Sequence, residues 1–210
     1  MLKQFKEDIS IDLNSEIIVQ KYLIDGDSFF FREYYPKEEF EFKKGLADVL
    51  NIHIRDIAIV GSGKLGFSLK PNEVESALYE FKTFDFNFIE DANNEKSDLD
   101  IAIISDRLFE YFLKDLYIKT NKYRTIPDGW SEKKDKNRKS FSYYALKGWF
   151  RKDFLYDGYE YENNILDFID LYKKKYKRDI NLGIYKSWFY FENYHISNID
   201  NIKINLLHNV

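Results

Sequence analysis

Apolar positions cluster in this chain into short dense runs whose ends are sharply polar. Ile54–Val60 reads as a buried strand that stops at Gly61 and Ser62. Asp98–Ile104 reads as a second strand, opening on two acids and then turning fully apolar. Asp179 to Tyr185 has the same look, with an acid at its start. Helical spacing fills much of the rest. Ile11, Leu13, Ile17, Ile18 and Tyr22 are so spaced before a turn at Gly26 and Asp27. Pro36 suits a helix start, with Phe40, Leu46, Ala47 and Leu50 on one side. Asp106 is placed to cap a helix over Leu108–Tyr117. Tyr143–Arg151, Ile165–Lys175 and the aromatic stretch Trp188–Tyr194 also have helical spacing. Phe29–Phe31 suits either a strand or a buried helical segment.

The 35 residues of the 63–97 segment separate the Gly-Ser turn from the second acidic strand. Pro71 and Asn72 break this insertion early, and 73–81 suits a short helix. Phe84, Phe86 and Phe88 alternate with polar residues as a strand would. Pro127 to Gly129 signals a turn, and the basic run Lys133–Lys139 a solvent-facing segment. No repeat or linker divides the 210 residues, so the expected organisation is one domain over 1–210.

Charge sharpens this picture. The chain carries a net −4, yet Lys114–Arg178 holds 17 Lys and Arg against 10 Asp and Glu. A helical, basic region over 108–178 therefore sits beside an acidic remainder, a distribution that would suit a nucleotide or nucleic-acid enzyme, although uneven partition by chance gives the same sums. Aromatic residues make up 19 % of the chain, either as core filling or as surfaces on which bases stack. With no Cys, disulfides and thiolate metal sites are excluded, which fits a reducing cytoplasm. His53, His195 and His208 have no metal-ligand spacing. No apolar run is long enough for a membrane span, and no signal segment is recognised at the start.

The chemistry concentrates at the strand ends. Residues two apart in a strand share a face, so Asp98 and Asp100 project together. Two close carboxylates repel unless a divalent cation lies between them. The turn at Gly61 and Ser62 offers backbone N–H groups and a hydroxyl suited to phosphate. Together they suggest a nucleoside triphosphate site. Gly61, Gly63 and Gly66 also satisfy the dinucleotide-binding pattern, but Pro71 arrives too early for the helix which that fold requires. Lys64 is misplaced for a phosphate-loop NTPase.

An apolar strand ending in Gly61-Ser62, followed by Asp98-Leu99-Asp100 opening a second, resembles the DNA polymerase β-like nucleotidyltransferase superfamily. The wider string from Val60 to Leu69 is similar to stand-alone bacterial nucleotidyltransferase-domain proteins, some of them encoded in phage-defence or toxin–antitoxin loci. The likeness covers Lys37 to Arg107. It implies an α+β fold: a small mixed sheet flanked by helices, with additional helices. It implies transfer of a nucleoside monophosphate from an NTP or dNTP to an acceptor hydroxyl, with pyrophosphate leaving. The acceptor would be nucleic acid, nucleotide or protein, and a partner effector protein is a further expectation. Asp98 and Asp100 would hold Mg2+ or Mn2+. Gly61, Ser62 and Lys64 would bind the phosphates. The superfamily's third carboxylate comes from a later strand, and Asp179 is the best-placed candidate, with an ion pair to a neighbouring base as its alternative role. The spacing of 35 residues departs from the shorter one usual in the superfamily. Two other functions stay open: a catalytically inactive relative acting as antitoxin or regulator, and a Rossmann-type dinucleotide binder.

Overall fold

The computed structural model describes residues 1–72, 78–125, 135–152, 155 and 160–208, leaving aside the side chains of 135–140, 207 and 208. Four strands form one mixed sheet: β1 (Ile57–Val60), β2 (Leu99–Ile104), β3 (Trp149–Arg151) and β4 (Ile180–Tyr185). Their order is β1-β2-β4-β3. The β1–β2 and β3–β4 pairs are antiparallel, and β2–β4 is parallel. The fold is therefore α+β, with helices flanking a small mixed sheet. A dinucleotide-binding fold is excluded, because it needs parallel strands joined by a full helix. Here β1 and β2 are antiparallel, and the glycine-rich segment forms only the five-residue helix α5 (Gly61–Leu65).

Strand alternation divides the apolar residues between the two faces of the sheet. Ile57, Ile59, Leu99, Ile101, Ile103, Ile180, Leu182 and Ile184 lie in the main core. That core also takes in α3 (Phe29–Tyr34), α4 (Glu39–Leu50), α7 (Asp106–Lys119) and α9 (Asn163–Tyr176). Ala58, Ala102, Ile104 and Tyr185 form the opposite face, covered by Phe191 of α10 (Trp188–His208). A separate cluster joins α1 (Leu2–Ser10) and α2 (Ser15–Val19) to Ile199 and Ile202 of α10. Phe67 and Phe81 of the 63–97 insertion complete it, joined by backbone pairing from Ser68 to Lys82 and from Phe67 to Thr83. The insertion thus buries Phe67 and Phe81 on the N-terminal helices and Phe84 in the main core, and frames one side of the sheet end.

Several elements differ from the sequence expectation. Phe29–Phe31 is helical, with the Ser28 hydroxyl accepting from the Phe31 N–H at its start. Phe86, Asn87 and Phe88 belong to the helix α6 (Phe86–Glu90), so the alternation there was a false strand signal. Four residues cannot separate the two periods when short helices expose one side. The helix expected over Tyr143–Arg151 ends earlier, with α8 (Asp135–Leu146), and Trp149–Arg151 pairs with β4 instead. Gly148, at φ +69, makes that break, and a Cβ there would meet the Tyr190 ring. Ser105, not Asp106, caps α7. Part of the 73–81 segment, the Pro127–Gly129 turn and the side chains of the Lys133–Lys139 run lie outside the described residues.

Candidate nucleotide site

A row of polar and small residues crosses the sheet at its open end. Register places Val60 beside Asp100 and Asp100 beside Asn181. Gly61 follows Val60 at φ +62, a left-handed conformation that costs a residue with a Cβ about 1–2 kcal/mol. Space enforces the same choice, since a Cβ on Gly61 would sit 3.0 Å from Asp100 Oδ2. The Gly-Ser turn and the Asp pair, far apart in sequence, therefore meet across the β1–β2 ladder.

Asp98 and Asp100 share a face, as expected. The Asn181 side chain shows it: Nδ2 donates to Asp98 Oδ2 at 3.0 Å and to Asp100 Oδ1 at 3.3 Å. Burial raises the Asp100 pKa, the Asn181 hydrogen bond opposes this, and the nearby Asp98 charge raises it further. Lys70 and Arg151 pull in the other direction. Around these groups opens a cleft of about 1160 Å³. Gly61, Ser62, Asp98, Asp100, Asp179 and Asn181 all line it.

The third carboxylate does not join the pair as expected. The residues before Leu99 and Ile180 continue the same parallel register, so Asp179 belongs to the rung of Asp98. Its carboxylate is 2.5 Å from Lys173 Nζ, the last turn of α9 having brought that base over the strand start. The Asp179 hydrogen bond is the main cause of the raised Lys173 pKa. Among the described residues, no group of three or more Asp, Glu, His or Cys is placed to hold a metal ion. Asn181 was missed in the sequence. The signal was the polar–apolar alternation of Asp179, Ile180, Asn181 and Leu182, which turns Asn181 to the acidic face one rung deeper.

Lys64 also departs from expectation. Two residues beyond Ser62 in a helix, it points to the opposite side. Its ammonium donates to the Gly26 carbonyl, and the residue is only 4 % exposed. Burial lowers its pKa, with the Glu39 charge opposing. Lys64 is not among the residues lining the cleft, whereas Lys70, Arg151 and Lys152 are. Arg151 comes from β3, which the sequence pattern had assigned to a helix.

Both strand starts are held by one buried ion pair. Arg178 donates to both Asp85 oxygens, at 3.0 and 3.1 Å, and to the Ser97 carbonyl at 2.6 Å. Its guanidinium lies 4.8 Å from the Phe30 ring centre and 4.7 Å from that of Phe84. Asp85 and Ser97 exchange two further hydrogen bonds. Ser97 adjoins Asp98 and Arg178 adjoins Asp179, so this clamp sets where the carboxylates emerge.

The far wall of the cleft is aromatic. Trp149 stacks on Tyr185 at 5.6 Å, and Tyr194 packs against Trp149 at 4.7 Å. His195 of α10 is buried beside them, with its pKa lowered to about 4 by that burial. No protein-family model, curated protein or solved structure matches this chain.

Proposed function

We propose that this protein is a nucleotidyltransferase of the polymerase β-like type, moving a nucleoside monophosphate from an NTP or dNTP to an acceptor hydroxyl. The observation that carries the reading is the meeting of Gly61 and Ser62 with Asp98 and Asp100 at one sheet end, inside a cleft roomy enough for a nucleotide. Hard oxygen donors fit Mg2+ or Mn2+, and two close carboxylates on adjacent positions of one face favour such a cation. Asp98 and Asp100 would hold it. The chemistry it supplies there is charge neutralisation on the triphosphate and on the departing pyrophosphate.

The remaining roles belong to the chain itself. The turn at Gly61 and Ser62 presents backbone amides and a hydroxyl to the phosphates. Lys70 and Arg151 add positive charge near Asp100, in place of Lys64. Asn181 keeps both carboxylates aimed at one point. Holding groups in this way lowers the barrier mainly by positioning and preorganised charge. The site carries a nucleophile only if the acceptor brings it, so an acceptor hydroxyl must enter the open side of the cleft.

A second reading is a regulator that binds nucleotide without transferring it, as an antitoxin would towards a partner effector. The observation favouring it is the Lys173–Asp179 ion pair, which withholds the third carboxylate.

The test is incubation of the protein with each labelled NTP and dNTP, with Mg2+ or Mn2+, followed by pyrophosphate release and new labelled products. An Asp98→Ala, Asp100→Ala double variant runs in parallel. Metal-dependent product lost in the variant supports the transferase, and its size identifies the acceptor class. Nucleotide binding without product under any condition turns the conclusion to the regulator.

A further inference from the structure

We propose that Asn181 limits this carboxylate pair to one divalent cation per chain, with its own amide oxygen completing the ligand set. The inference rests on the preceding reading only in taking the ligand to be a divalent cation. The amide reaches both carboxylates, at 3.0 and 3.3 Å, from the neighbouring parallel strand. It therefore stands where a cation shared by Asp98 and Asp100 would find its third protein ligand. An amide carries both kinds of group: Nδ2 donates to the carboxylates, and the oxygen on the same carbon is a hard ligand for Mg2+ or Mn2+. A half-turn of the terminal amide exchanges the two, so one residue holds the carboxylates together without metal and ligates in its presence.

Charge sets the number. Two carboxylates balance one divalent cation, and a neutral amide adds nothing toward a second. The acid that would add it, Asp179, is ion-paired with Lys173 at 2.5 Å. Lys70 and Arg151 line the same cleft, and their positive charge further weighs against a second metal. Leaving a +2 ion half-compensated in a partly buried cleft is costly. Gly61 contributes to the one site by keeping its backbone clear of Asp100 Oδ2.

The probe is Mn2+ alone, titrated into the purified full chain, with free Mn2+ counted by electron paramagnetic resonance. The expected result is one ion per wild-type chain, and an affinity about tenfold or more weaker in Asn181→Ala. Asn181→Asp, which supplies the missing charge, should bind two. Asp179→Asn should still bind one. Two ions on the wild-type chain overturn the proposal, as does none at millimolar Mn2+, or an Asn181→Ala affinity equal to wild type. Should Asn181→Asp fail to fold, the wild-type count and the Asn181→Ala affinity decide alone. Nucleotide transfer is scored separately. One bound ion without transfer leaves this inference standing and removes the transferase reading, whereas transfer with two bound ions does the reverse.

Discussion

Two polar clusters sit a residue apart at the same end of the sheet, and they are built to opposite rules. In the Arg178–Asp85 cluster the two charges answer each other: the guanidinium donates to both carboxylate oxygens and a carbonyl, its Nε alone lacking a hydrogen-bond partner among the described residues, and aromatic rings flank it. In the Asp98–Asp100 cluster two like charges share one neutral amide. The first is a structural pin, whose parts are matched to each other. The second brings two carboxylates together around a neutral amide, with Lys70 and Arg151 as the cations acting on Asp100, and that like-charge pair is what marks it as a place for a ligand. Sequence adjacency makes the contrast sharper, since Ser97 and Arg178 serve the pin while Asp98 and Asp179 are the next residues along each strand.

The largest break in the comparison should come from the pin. Arg178→Met leaves Asp85 buried and uncompensated, so the folded state should lose about 3–5 kcal/mol in urea unfolding. Replacing both partners, as Arg178→Met with Asp85→Leu, should recover much of the loss. If the single variant costs no more than an exposed ion pair, the cluster is not a pin.

Next comes Gly61→Ala, which imposes both a left-handed alanine and a Cβ against Asp100. The expected cost is about 1–2 kcal/mol in folding, together with weakened Mn2+ and nucleotide binding. Retained binding with lost stability would separate the turn from the carboxylates.

Asp100→Asn should act in the other direction from Arg178→Met. The folded pKa of Asp100 lies above its unfolded value, so the folded chain binds more protons and stability falls as pH rises through that window. Without metal, wild type should therefore lose stability from about pH 4 upward relative to Asp100→Asn. The variant should be the more stable of the two at pH 7, and the two should converge at pH 3. Adding Mn2+ should stabilise only the wild type. Equal pH profiles, measured by thermal unfolding, would show that Asp100 is already compensated.

The smallest effect on the site is expected from Lys64→Met. Its ammonium serves the Gly26 carbonyl on the side away from the cleft, so nucleotide affinity should stay within about twofold. A larger loss, in a variant with an unchanged melting profile, would return Lys64 to the phosphates.

The two carboxylate-bearing strand starts were legible because alternation and abrupt apolar runs are local properties. A strand that opens with Asp-x-Asp must place both acids on one side, whatever the rest of the chain does. The Gly-Ser turn was legible for a similar reason, as an apolar run cut off by a residue free of Cβ constraints. Short aromatic segments were less so. Phe29–Phe31 and Phe84–Phe88 are too brief for period alone to separate helix from strand, and the first took its state from packing and from the Ser28 cap.

What the sequence by itself determined, then, is that two acids and a glycine turn end buried strands in an α+β chain. Tertiary structure alone decided which groups complete the cluster. Register brought Asn181, not Asp179, between the two carboxylates, and the last turn of α9 laid Lys173 on Asp179. Helical rotation turned Lys64 away, and a three-residue strand brought Arg151 in. The Asn181 contacts join residues 83 and 81 positions apart, and no local pattern encodes the distance between such groups or the charge left over when they meet.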